Sequence, residues 1–169
     1  MSLFAHLDQP IPVTDLVLRL SLAALFGGLL GWERELQHKA AGLRTHMMIA
    51  LGAALFTLMA FEMFAEGEPK GSGVDPSRVI QGIVGGLGFL GAGQILQAGG
   101  TVQGMTTAAG IWVVGAVGIA CGSGYFLLAS ITVGFALAIM AGVGLLESRL
   151  FKQPPHSATV HRLRPRGQH

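Results

Sequence analysis

The chain has 169 residues, enough for one compact unit and too few for a membrane bundle plus a second folded domain. Apolar residues make up 51% and charged residues 12%, with a mean hydropathy of +0.58, a balance that a water-soluble domain of this size does not show. The formal charge of +2 is small and the basic residues do not interleave with aromatics, so a nucleic-acid partner is set aside.

Five stretches approach the ~20 apolar residues that a bilayer core demands. They are Val13 to Trp32, Leu43 to Phe64, Val79 to Leu96, Met105 to Cys121, and Tyr125 to Leu146. The fold class they predict is an all-α, polytopic membrane helix bundle of about five transmembrane helices with Gly-rich packing. Residues 1–12 form an N-terminal segment outside the membrane, residues 13–148 the transmembrane domain, and residues 149–169 a basic tail.

The first stretch follows Asp8 and Asp15 rather than a basic region and ends without a small-residue cleavage site, so it reads as a retained helix and not a signal peptide. Thr14 or Asp15 is its expected N-cap, and Asp15 stands four residues before Arg19, close enough to pair on one face. The next connection carries Glu33, Arg34, Glu35, Arg44 and Thr45, packed against the ends of two spans. An unpaired Arg44 at full depth would cost ~2.5–3.5 kcal/mol. Glu33 and Glu35 are therefore its expected partners in a polar cluster at the cytoplasmic face, the plainer alternative being an arginine that reaches the headgroups.

Glu62, Glu66 and Glu68 line the far end of the second stretch and offer oxygen ligands, yet three carboxylates beside a loop are more often solvated. The third stretch contains Gly82, Gly85, Gly86, Gly88, Gly91 and Gly93. Gly86-x-Gly88-x-x-Gly91 matches the dinucleotide fingerprint, but it lacks the preceding strand and the following acidic residue that the fingerprint needs. In a membrane, small residues let helix backbones approach closely. At ~100° per residue Gly82, Gly86 and Gly93 share one face and Gly85, Gly88 and Ala92 another, which predicts a central helix that touches neighbours on two sides. A pore lined by exposed carbonyls is the alternative. Small-xxx-small pairs also occur at Gly27/Gly31 and Gly118/Gly122, and along Gly134/Ala138/Gly142.

An uncharged linker, Ala98 to Gly104, leads to the fourth stretch, with Thr106 or Thr107 as its expected cap and Trp112 within it. Two full spans here are favoured over a re-entrant piece. Gly122-Ser123-Gly124 predicts a tight turn, and Cys121 reads as a buried small hydrophobe. No two histidines stand at i,i+4 on one helix, none has a cysteine partner, and no serine sits in a nucleophile elbow, so neither a metal, a cofactor nor an enzyme activity is expected. From Val79 to Leu146 there is no charged residue or histidine, where a divalent-ion carrier would place a carboxylate. Lys and Arg concentrate in the first connection and the tail, which predicts an outside N-terminus and a cytoplasmic C-terminus.

Four motifs carry a resemblance. Gly31-Trp32-Glu33-Arg34-Glu35, Ala41-Gly42-Leu43-Arg44-Thr45-His46-Met47, Gly85-Gly86-Leu87-Gly88-Phe89-Leu90-Gly91-Ala92-Gly93, and Gly104-Met105-Thr106-Thr107-Ala108-Ala109 with Trp112 resemble the MgtC/SapB family of bacterial membrane proteins over residues 13 to 146. The resemblance implies a multi-pass protein of the bacterial inner membrane, associated with growth in low magnesium, survival inside host cells and stress adaptation. It implies a modulator of other membrane machinery such as the ATP synthase, the alternative being a magnesium or other ion transporter. Longer relatives carry a soluble C-terminal domain; the short basic tail here resembles the SapB-like form. The expected partners are the lipid bilayer, a second copy in a homo-oligomer, with a dimer favoured, and another membrane complex. The glycines of the third stretch, Thr106, Thr107 and Trp112 are the expected packing or partner-binding residues. An enzyme acting on lipid through Glu33 or Glu35 is the most remote alternative.

Overall fold

The computed structural model describes residues 11–66, 75–98 and 101–143. Five helices follow one another: α1 (Val13–Leu36), α2 (Leu43–Glu66), α3 (Pro76–Gly93), α4 (Met105–Gly122) and α5 (Phe126–Leu137), the last running on into a π-helical turn, Ala138–Val143. Three of them, α1, α2 and α4, are long and apolar enough to cross a membrane. α3 has the length of a span, ~27 Å for its 18 residues, but its polar first turn and its glycines lower its hydropathy. The predicted end of the fifth stretch at Leu146, Glu68, and the tail from residue 149 lie outside the described residues.

Several boundaries move for identifiable reasons. α1 continues four residues past Trp32, so Glu33, Arg34 and Glu35 belong to a helix and not to a connection. It begins after Pro12 with no side-chain cap, which corrects the expected Thr14 or Asp15 cap; proline fixes φ near the helical value and α1 starts directly behind it. α3 starts earlier than Val79 because Asp75 caps it, accepting from the Ser77 N–H at 2.9 Å and the Ser77 hydroxyl at 2.8 Å. Those bonds hold the Asp75 carboxyl below its ordinary pKa. Leu96 falls in a small antiparallel hairpin, β1 (Leu96–Ala98) with β2 (Thr101–Gln103), that replaces the featureless linker. α4 is capped by Gly104 in the left-handed region, φ +88°, so Thr106 and Thr107 lie inside the helix rather than at its cap.

The centre of the bundle is α4, not α3. α4 touches all four other helices, whereas α3 packs chiefly on α4 and α2. Two glycine seams explain this. Side chains built on Gly27 and Gly31 of α1 would meet the His46 carbonyl and the Leu43 backbone, each at 2.7 Å. Side chains on Gly118 and Gly122 of α4 would meet the carbonyls of Ala50 at 2.4 Å and Ala54 at 2.6 Å. Glycine at these positions lets α1 and α4 grip α2 backbone to backbone. The buried cluster of Ala23, Leu30, Ala50, Ala54, Val114, Val117 and Ala129 fills the space between them. Hydroxyls inside the apolar helices bond back one turn, as Thr57 does to the Ala53 carbonyl at 2.8 Å, and are thereby satisfied.

At one end of the bundle, Arg19 pairs with Asp15, Nη2 to Oδ2 at 2.7 Å, as the i,i+4 spacing predicts. The same guanidinium donates to the Gly122 carbonyl at 2.8 Å, satisfying an orphan acceptor at the C-terminus of α4. Gly124, at φ +80°, makes the predicted tight turn there.

Candidate functional site

The other end holds the turn between α1 and α2, where the chain buries two of its polar side chains. α1 stops in a Schellman motif: the Lys39 N–H reaches the Arg34 carbonyl at 3.1 Å and the His38 N–H the Glu35 carbonyl at 3.0 Å. His38 takes the left-handed position, φ +52°, that glycine usually occupies. The turn brings Glu35 back over the start of α2, where its Oε2 accepts from the Leu43 N–H at 3.0 Å and caps the helix. Gly42 makes that reach possible, since a Cβ there would lie 1.8 Å from the same oxygen.

Arg34 is 1% exposed, one of the largest fully buried side chains. Its Nε donates to Glu33, whose other oxygen accepts from the Gln37 amide, and its Nη2 contacts Gln37 Oε1 at 3.5 Å. The carboxylate therefore bridges two donors, which is what a charged pair needs to be kept out of water. One turn into α2, His46 is fully buried. Its Nδ1 lies 3.0 Å from the Gly42 carbonyl, so Nδ1 carries the proton and Nε2 presents a lone pair. Nε2 has no hydrogen-bond partner among the described residues. It faces α4 at Gly110, where a Cβ would stand 3.5 Å from it and 3.1 Å from the Met140 methyl of the π turn. Arg34 and Glu33 lie within electrostatic reach of the ring.

The expected polar cluster is thus brought together in part. Glu33 and Arg34 pair with each other, Glu35 serves as a cap, and Arg44 and Thr45 are exposed on the outer side of α2. Among the described residues Arg44 pairs with neither glutamate. Sequence reasoning passed over Gln37, Gly42 and His46 as site residues. The signal in the sequence was the placement of His46 four residues after Gly42 inside one motif; the structure adds that it lies across from Gly27 and Gly31.

The expected packing residues separate into two groups. A Cβ at Gly91 would stand 3.6 Å from Ala108, and Thr107 is buried. Leu87 of α3 fills the notch left by Gly115 of α4. Gly82, Gly85, Gly86, Gly88 and Gly93 have open space where a side chain would go, Thr106 is exposed, and Trp112 is 53% exposed.

A family model described as the MgtC family matches residues 20–149. The chain belongs to the MgtC family. Its relatives include "Putative magnesium transporter YhiD" of Escherichia coli (strain K12), 39% identical over 84% of this chain and 66% of that protein. "Protein MgtC" of Brucella abortus (strain 2308) is 41% identical over 77% of this chain and 52% of its own length. "Protein SrpB" of Synechococcus elongatus is 38% identical over 76% and 75%. The chain thus spans between half and two thirds of the first two relatives. No solved structure matches it. As an MgtC family protein with three helices of spanning length and hydropathy, it is a membrane protein.

Proposed function

We propose that this MgtC family member is a non-enzymatic modulator, which binds another membrane complex through the open glycine face of α3 and thereby adjusts ion homeostasis in adaptation to low magnesium or host stress. The observation that carries the reading is the contrast between the glycines. Gly27, Gly31, Gly118 and Gly122 are consumed by the chain's own packing, while Gly85 and Gly88 stand free on an exposed face. Small residues on a membrane helix let the backbone of another helix come close. In this reading all five helices cross the inner membrane, with the N-terminus outside and the α1–α2 turn cytoplasmic.

The test is complementation of a strain lacking its own family member, grown in limiting magnesium, with the wild-type chain or with Gly85→Leu/Gly88→Leu. A Cβ at either site meets nothing within 4 Å, and far-UV circular dichroism of the variant checks that it folds. Loss of growth supports the reading, and full growth overturns it. A second reading, ion transport, is favoured by the printed name of the Escherichia coli relative. Magnesium uptake by proteoliposomes of the purified protein, above that of empty vesicles, would establish it.

A further inference from the structure

A groove of about 610 Å³ runs between α2 and α3, on a face separate from Gly85 and Gly88 and from the buried histidine. Its walls include Met48, Gly52 and Phe56 of α2 and Val79, Gly82 and Gly86 of α3, and it exposes almost no polar surface. Space is open at all three glycines. We propose that this groove holds an acyl chain of one anionic phospholipid, whose headgroup phosphate sits on Arg44 and Thr45.

Length, position and charge each point to this occupant. From Met48 to Phe56 the α2 wall rises ~12 Å, against ~15 Å for half of a bilayer's hydrocarbon core. The groove is one leaflet deep, whereas a second helix would need one running through both. Arg44 and Thr45 precede Met48 and Ile49 by four residues and so share their face. Side chains on a helix lean toward its N-terminus, which carries the guanidinium and the hydroxyl beyond the groove's mouth to headgroup level.

Charge sets the direction. The Arg44 end carries Arg34, Lys39 and Arg44 with Glu33 and Glu35; Glu33 is engaged by Arg34 and Glu35 by the Leu43 N–H. Arg44 and Lys39 are exposed and make no ion pair among the described residues. At the opposite end Arg19 is paired with Asp15, Glu62 accepts from the Ile11 N–H and Asp75 from Ser77, which leaves Arg78 as the exposed cation without an ion pair among the described residues. An anionic headgroup therefore meets two unpaired cations at the first end, Lys39 and Arg44, and one at the second.

Native mass spectrometry of the full chain in mild detergent, titrated with dioleoyl phosphatidylglycerol or dioleoyl phosphatidylcholine, tests the assignment. One phosphatidylglycerol per chain is expected, held about fivefold more tightly than phosphatidylcholine, the equivalent of the ~1 kcal/mol that one basic residue contributes beside an anionic surface. Arg44→Gln, an exposed change that leaves the fold intact, should abolish the preference between headgroups. Gly52→Leu/Gly86→Leu should lower retention of both lipids at least fivefold while helicity by circular dichroism stays at the wild-type value. Equal affinity for the two lipids, or unchanged retention by the filled groove, overturns the proposal. So does a double variant that turns a dimer into a monomer at constant lipid count, which would assign the groove to a second copy.

Discussion

Replacing Gly118 by alanine adds one methyl group where the structure has no room for it. The new Cβ would lie 2.4 Å from the Ala50 carbonyl oxygen and 2.9 Å from the Ala53 Cβ, and neither atom can rotate away. α4 must back off α2 by ~1 Å, which forfeits a quarter to a half of the dispersion energy along the seam. Overpacking of this kind costs ~1–3 kcal/mol, against which alanine returns ~1 kcal/mol of helix propensity. Gly85→Ala meets nothing within 4 Å and keeps the propensity gain alone. Gly118→Ala should therefore fall ~0–2 kcal/mol below wild type and Gly85→Ala ~1 kcal/mol above it, ~1–3 kcal/mol apart. Reversible unfolding in mixed dodecyl maltoside and SDS micelles, followed by far-UV circular dichroism, measures both. Gly118→Ala as stable as Gly85→Ala, or Gly85→Ala losing as much as Gly118→Ala, would refute the assignment of seam and open face.

The same assay reaches the buried pair: Arg34→Met alone should cost ~3–5 kcal/mol by leaving the Glu33 carboxylate without its charged partner, and Glu33→Gln/Arg34→Met should recover most of it. Gly42→Ala displaces the Glu35 carboxylate from the Leu43 N–H, so Gly42→Ala and Glu35→Ala should each cost ~1 kcal/mol of helix capping, and the double variant no more than either, as expected for residues acting through one contact. The Asp75 cap is subject to pH. Because its folded pKa is lowered, its contribution is complete above the ordinary value of 3.8 and is lost as pH falls through the lower folded value. Amide protection at Ser77 and Arg78 should decline over that interval in the wild type and stay level in Asp75→Asn.

Much of the fold was legible because the membrane imposes long apolar runs, and composition alone locates α1, α2 and α4 to within a few residues. The Asp15–Arg19 pair and the Gly124 turn followed from spacing and from glycine's tolerance of positive φ. Which glycines pack was not legible. Gly86 and Gly118 stand in the same kind of apolar helix, and only the route of the chain decides that one meets a carbonyl and the other meets nothing. The partners of Glu33 and Glu35 were hidden for a related reason. With α1 extended to Leu36, Arg34 turns inward while Arg44, early in α2, turns outward, and the nearer arginine takes the carboxylate. His46 stood within a recognisable motif, but its burial follows from the approach of α1 at Gly27 and Gly31, which the order of residues does not show.

α1, α2 and α4 meet through backbone contacts that no side-chain rotation can relax, whereas α3 is held chiefly by Leu87 in the Gly115 notch and by Gly91 against Ala108. Mechanically this is a stiff three-helix block carrying a more compliant arm. Slow fluctuations of the bundle should concentrate in the tilt of α3 about the Leu87 pivot, and a molecule that braces α3 would damp them without touching the block.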